Sequence, residues 1–87
     1  MIARQIVVIN KSGLHARPAA VFVQNAGKFK SAITIKHQET AINGKSIMSV
    51  LASGISCGSA IELLVDGEDE QSAADTLTQL FAAGLGE

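Results

Sequence analysis

With 87 residues, 47% of them apolar and three Phe as the only aromatics, the chain predicts one small domain over residues 1–87 with an aliphatic core. The single Cys57 excludes a disulfide framework and a multi-Cys zinc site, no apolar run is long enough to span a bilayer, and no basic region precedes the first apolar stretch, so a cytoplasmic protein without a leader is expected. The net charge of −1 hides a split: residues 1–45 hold all seven Lys and Arg with one acid (Glu39), and residues 46–87 hold seven acids and no Lys or Arg.

Residues 2–9 are β-rich, with Ile2, Arg4, Ile6 and Val8 on one face. Asn10-Lys11-Ser12-Gly13 then reads as a turn. Residues 16–27 predict a helix whose buried stripe is Ala16, Ala19, Ala20, Val23, Ala26 and Gly27. Pro18 is tolerated in its first turn, and His15 falls at its N-cap. Residues 31–37 alternate, with Ile33 and Ile35 inward and Thr34 and Lys36 outward. Gln38-Glu39 turns the chain into a weak strand at 40–43, a hairpin. Ser46 caps a short helix over 47–53, with Ile47, Val50 and Leu51 as its core stripe and Met48 about 100° off it. Residues 60–66 form a last strand. Asp69 caps a final helix with the stripe Ala73, Ala74, Leu77, Leu80 and Phe81, ended by Gly84.

The order is β-α-β-β-α-β-α, an α+β fold. Helices should cover one sheet face, leaving Arg4, Thr34, Lys36 and Glu62 on the other. A right-handed first crossover leaves a gap that the fourth strand can fill, so the strand order is 1-4-2-3 and every neighbour is antiparallel.

His15 is the most informative residue. It stands where a turn meets a helix start, with Arg17 two positions on and N–H groups that have no helical acceptor. A helix end attracts anions, and a guanidinium matches phosphate oxygens. The same positive field favours a neutral, nucleophilic imidazole, which is what accepting a phosphoryl group requires. The plainer reading is a turn histidine that caps the helix. Ser46 likewise is either a simple N-cap or a phosphorylation site, since a helix N-terminus tolerates phosphate. Ile47, Met48 and Leu51 read as a short helix buried in a small core or as a partner-docking surface.

Other features carry less. Gly44-Lys45-Ser46 lacks the first Gly of a P-loop, because position 39 is Glu. His37 is expected to be structural and Cys57 an incidental thiol. No second His lies at metal-ligand spacing. An RNA-binding reading of the basic half lacks stacking residues, having no Tyr or Trp.

Gly13-Leu14-His15-Ala16-Arg17-Pro18-Ala19 resembles the active-site signature of the HPr family of phosphocarriers. Asn43-Gly44-Lys45-Ser46-Ile47-Met48-Ser49-Val50 resembles the same family's regulatory serine segment. Both stand at the family's spacing, and the similarity covers essentially the whole chain. The resemblance implies an open-faced β-sandwich: a four-stranded antiparallel sheet with three helices on one face. It implies that His15 takes a phosphoryl group on Nδ1 from phospho-enzyme I, which draws on phosphoenolpyruvate, and passes it to a histidine of an enzyme IIA protein. Arg17 would hold the phosphate, supported at the helix start by Ala16 and Pro18. Ser46 would be the target of an HPr kinase/phosphorylase, with a catabolite-control repressor as a further partner. Ile47, Met48 and Leu51 would dock on enzyme I and enzyme IIA. Such a protein is a monomeric carrier rather than an enzyme, with no cofactor, metal, nucleic-acid or membrane partner. His15 separates the chain from the regulatory paralogue that lacks it. A nitrogen-related or purely regulatory member is the alternative.

The charge split then takes another meaning. Because the fourth strand pairs between the first two, sequence halves are not spatial halves. Lys11, Arg17 and Lys45 are expected to form a local basic surface around His15, suited to acidic partners and phosphate.

Overall fold

The computed structural model describes residues 1–87. The elements are β1 (Ile2–Val7), α1 (Ala16–Ala26), β2 (Ala32–His37), β3 (Thr40–Asn43), α2 (Ile47–Ala52), β4 (Ala60–Asp66) and α3 (Glu70–Ala82). The sheet order is β1-β4-β2-β3. All three neighbouring pairs are antiparallel. This is the open-faced sandwich expected from the chain order, with β4 filling the gap left by the β1-α1-β2 crossover.

Register decides which side chains meet the helices. Ile6 lies opposite Ile61, and Ile33 and Ile35 lie opposite Val65 and Leu63, all of them buried. The alternate positions form the open face, where Gln5 donates to Glu62 at 2.7 Å and Lys36 flanks Glu62 from the other strand. Arg4 departs from expectation. It pairs with Leu63 and so points to the helix side, where its guanidinium meets Asp75 of α3 at 3.0 Å. The alternation of Ile2, Arg4 and Ile6 required this, because side chains two apart share a face. Thr34, Lys36 and Glu62 do occupy the open face.

The core is one cluster of 19 buried residues, built around Phe22 of α1 and Phe81 of α3. Their rings are tilted at 49° with centroids 5.4 Å apart. Such a pair contributes about 1 kcal/mol beyond the area it buries. The face of α1 is therefore rotated from the small-residue stripe. Pro18, Ala19, Phe22 and Ala26 are buried, and Ala16 and Gly27 are exposed. Small Ala19 and Ala26 let the helix approach, and Phe22 anchors it.

Two further expectations change. In α2 only Val50 is buried, so Ile47 and Leu51 do not form a core stripe. Asp69 precedes α3 but makes no side-chain cap bond. Its carboxylate instead accepts from the backbone N–H groups of Lys30 and Ser31, at 2.8 and 2.9 Å, and from the Ser31 hydroxyl. It ties the start of α3 to the entry of β2. No helix is long and apolar enough to cross a membrane.

Candidate functional site

The segment between β1 and α1 is built by hydrogen bonds that leave little freedom. Val8 and Gly58 carry β1 past its end, with Val8 N–H donating to Ser59 at 2.9 Å and Gly58 N–H to Val8 at 2.7 Å. Buried Asn10 then closes a turn. Its carbonyl accepts from Gly13 N–H at 3.1 Å, and its Nδ2 donates to the Gly13 carbonyl at 2.7 Å. A side-chain amide bonding two or three positions along the backbone is why Asn favours such turns. Gly13 takes φ +63°. Leu14 is fully buried, and its N–H donates to Ile55 at 3.0 Å. Two anchors, Asn10 and Leu14, thus fix the chain just before His15.

His15 itself is exposed and extended (φ −124°, ψ 157°). It stands at the N-cap but makes no side-chain cap bond, which removes the reading of a capping histidine. The imidazole is left free at the surface. Ala16 follows at φ 48°, in the left-handed region. For a residue with a Cβ that conformation costs on the order of 1 kcal/mol or more, and such outliers concentrate at functional sites.

The backbone N–H groups of Ala16 and Arg17 donate to no protein acceptor. Arg17 is exposed, and its guanidinium makes no ion pair or hydrogen bond. A free imidazole, two free N–H groups, a free guanidinium and the positive end of an 11-residue helix therefore share one short stretch of chain. This set can bind an oxyanion while a ring nitrogen attacks it. Pro18 is buried and seats the helix start in the core.

Lys45 does not belong to this set. Its Nζ donates to the carbonyl of Phe29 at 2.6 Å, beyond the C-terminal end of α1. That end lies about 16 Å from the His15 end, given a rise of about 1.5 Å per residue. Lys45 is engaged by a carbonyl of the turn that follows α1, so it is not part of the basic surface expected around His15.

Ser46 is half-buried and caps α2, its Oγ accepting from Ser49 N–H at 3.3 Å. The helix it starts exposes Met48 at 75%, Leu51 at 40% and Ile47 at 37%. Three large apolar side chains on a six-residue helix in water form a patch, not a core stripe. No group of three His, Cys, Asp or Glu side chains is placed to hold a metal.

Sequence reasoning did not single out Glu87. Its carboxylate accepts from Ser12 Oγ at 2.6 Å, Ser12 N–H at 2.9 Å and Asn10 Nδ2 at 3.1 Å. The Ser12 hydroxyl, then the Ser12 N–H, then Asn10 hold this carboxyl below its ordinary pKa. A contact spanning 75 positions leaves no local signal in the sequence.

A family model described as the PTS HPr component phosphorylation site matches residues 2–83. The phosphocarrier protein HPr of Treponema pallidum is 43% identical over 81 residues, covering 93% of this chain and 92% of that protein. The HPr-like protein Crh of Halalkalibacterium halodurans is 46% identical over 77 residues, covering 88% and 92%. The crystal structure of HPr from Thermoanaerobacter tengcongensis superposes with a TM-score of 0.97 at 42% identity, covering 100% of this chain and 98% of that one.

Proposed function

The chain belongs to the HPr family of the phosphotransferase system, and from that premise we propose that it carries a phosphoryl group on His15 between enzyme I and an enzyme IIA protein. The observation that supports this most is the free imidazole of His15, followed directly by left-handed Ala16 and unpaired Arg17. Nδ1 attacks phosphorus, a P–N bond forms, and the bond from phosphorus to its donor on enzyme I breaks, the donor keeping the electron pair. The phosphoryl oxygens then face the N–H groups of Ala16 and Arg17 and the Arg17 guanidinium. These donors are set before the charge arrives, so little reorganisation is needed. The reverse geometry serves the second transfer, to a histidine on enzyme IIA. Nothing in this scheme needs turnover by the chain itself; it is a substrate of one partner and a donor to the next.

Ile47, Met48 and Leu51 provide the docking surface for both partners, and Ser46, at the root of that helix, is the regulatory position. Phosphate there would add about two negative charges beside the docking patch, which weakens exchange with enzyme I while the helix N-terminus tolerates it. The test is a relay. Phosphoenolpyruvate and enzyme I should load the chain, and added enzyme IIA should unload it. His15→Ala should take no label, and label surviving that substitution sinks the assignment.

A second reading is regulation through phospho-Ser46 alone, supported by the position of Ser46 as N-cap of α2 beside the exposed Ile47, Met48 and Leu51. It predicts acid-stable phosphate on Ser46 and a function that tolerates His15→Ala.

A further inference from the structure

The loop of residues 53–59 leaves the end of α2 and touches the phosphoacceptor turn on its way to β4. The Ile55 carbonyl accepts from Leu14 N–H at 3.0 Å, and Gly13 packs against the backbone of Ile55 and Ser56. The far end of the loop is held by main chain alone, through Val8 N–H on Ser59 and Gly58 N–H on Val8. The near end has a weak point. Gly54 takes φ +72°, with open space where a Cβ would stand, so packing does not hold it. The Ser53 hydroxyl spans this glycine. It donates to the Val50 carbonyl at 2.6 Å, in the last turn of α2, and accepts from Ile55 N–H at 3.3 Å. We propose that Ser53 is a positioning residue for His15: its hydroxyl fixes the Ile55 carbonyl, and through Leu14 the imidazole, relative to α2. This proposal rests on the phosphocarrier reading above.

The relation between α2 and His15 matters because a partner that grips Ile47, Met48 and Leu51 must find the attacking nitrogen at one fixed place. His15 has no side-chain cap bond, so its placement comes from the backbone before it. Val50, Ile55 and Leu14 are all fully buried, and a close-packed interior transmits a shift rather than absorbing it. A serine hydroxyl that bonds two residues ahead is a common way to brace a turn. Here it also reaches back to a helix carbonyl, so one side chain joins the helix end to the residue that holds Leu14. Ser53 is half-buried and stands outside the apolar patch.

A purely structural bond would lower stability alone, and a docking contact would change only the concentration needed for half-saturation. The full chain is therefore compared as wild type, Ser53→Ala, Ser53→Thr and Ser53→Val. Ser31→Ala, which removes a hydroxyl tie to Asp69 elsewhere in the fold, is the control. Enzyme I preloaded from phosphoenolpyruvate is mixed rapidly with each carrier over a range of concentration, and a single transfer is followed. Ser53→Ala should lower the rate constant at saturating carrier about fivefold, with the half-saturating concentration changed less than about twofold. Ser53→Thr keeps the hydroxyl and should match wild type, as should Ser31→Ala. Ser53→Val has the shape of Thr without the hydroxyl and should share the loss. In the free carrier, Ser53→Ala should speed hydrogen exchange at the Leu14 amide and shift the ring protons of His15, and Ser53→Thr should do neither. A wild-type rate constant in Ser53→Ala, a loss confined to half-saturation, or equal rates in Ser53→Thr and Ser53→Val overturns the proposal. If wild type takes no label, the phosphocarrier reading has failed, and the tie is judged in the free carrier alone; an unmoved Leu14 amide and unmoved His15 ring protons in Ser53→Ala overturn it. Should Ser53→Ala not fold, the pair Ser53→Thr and Ser53→Val decides by the same readouts.

Discussion

Gly13 lies so close to Ile55 that a Cβ at position 13 would stand 2.5 Å from the Ile55 carbonyl oxygen and 2.6 Å from the Ser56 Cα. Both are backbone atoms and cannot swing aside. The same residue sits at φ +63°, which a side chain adopts only with strain. Glycine is thus required twice at the turn that presents His15. Gly13→Ala should cost about 2 kcal/mol or more in chemical denaturation, through strain and through separation of the turn from Ile55. The surviving folded protein should accept phosphate more slowly than wild type. A variant of unchanged stability would mean that the turn yields more easily than its backbone contacts indicate.

The proposed docking patch and the buried position of α2 separate cleanly by exposure. Met48→Ala removes a side chain that is 75% exposed, so stability should change by less than about 0.5 kcal/mol. Loss of an interface anchor should nonetheless raise KM with enzyme I about tenfold. Val50→Ala, at a fully buried position, should do the reverse, costing about 1–2 kcal/mol of stability with little effect on KM. Titration of enzyme I against each variant, beside thermal unfolding, measures both.

Asp69 provides a pH signature. The Ser31 hydroxyl, the foremost of its donors, and the Lys30 N–H hold its pKa at about 2, below its ordinary 3.8. The folded protein therefore binds this proton less readily than the unfolded chain. Its stabilising contribution is full above about pH 4 and is lost as pH falls toward 2. Asp69→Asn should melt lower than wild type at pH 7, and the gap should close over that acidic window. A gap that stays constant down to pH 2 would show that the carboxylate charge is not what ties α3 to β2.

Ser46→Asp retains an oxygen that can cap α2, so the fold should be unchanged within about 0.5 kcal/mol. The added charge beside Ile47 and Met48 should slow loading by enzyme I. Ser46→Ala should show the opposite pattern: a loss of about 1 kcal/mol from the missing cap and normal loading. Thermal unfolding and initial loading rates on the two variants distinguish them.

Much of this was legible in the sequence because period and punctuation are local. The alternation at Ile33 and Ile35 and the turn at Gln38-Glu39 placed the hairpin, and the chain order with one handedness rule placed β4 between β1 and β2. His15 and Arg17 stood out because a turn-to-helix junction is itself a local pattern. What escaped was set by contacts between distant segments. The alternation of Ile2, Arg4 and Ile6 already put Arg4 on the helix side, but its partner there, Asp75, lies 71 positions away and left no local trace. The buried face of α1 turned toward Phe22 because Phe81 lies across from it. A six-residue helix such as α2 is too short for its periodicity to separate core from patch, and Ile47 and Leu51 fell on the exposed side. Lys45 was drawn to the far end of α1 by a carbonyl that needed a donor. Glu87 reaches Ser12 only through the fold.

The central claim, that His15 is the phosphoacceptor, is tested most directly by locating the phosphate after incubation with phosphoenolpyruvate and enzyme I. Mass spectrometry under neutral conditions should find one phosphoryl group on the peptide containing His15. That group should be lost in mild acid, absent from His15→Ala and undiminished in Ser46→Ala. Acid-stable phosphate on another residue, or undiminished labelling of His15→Ala, would contradict the account.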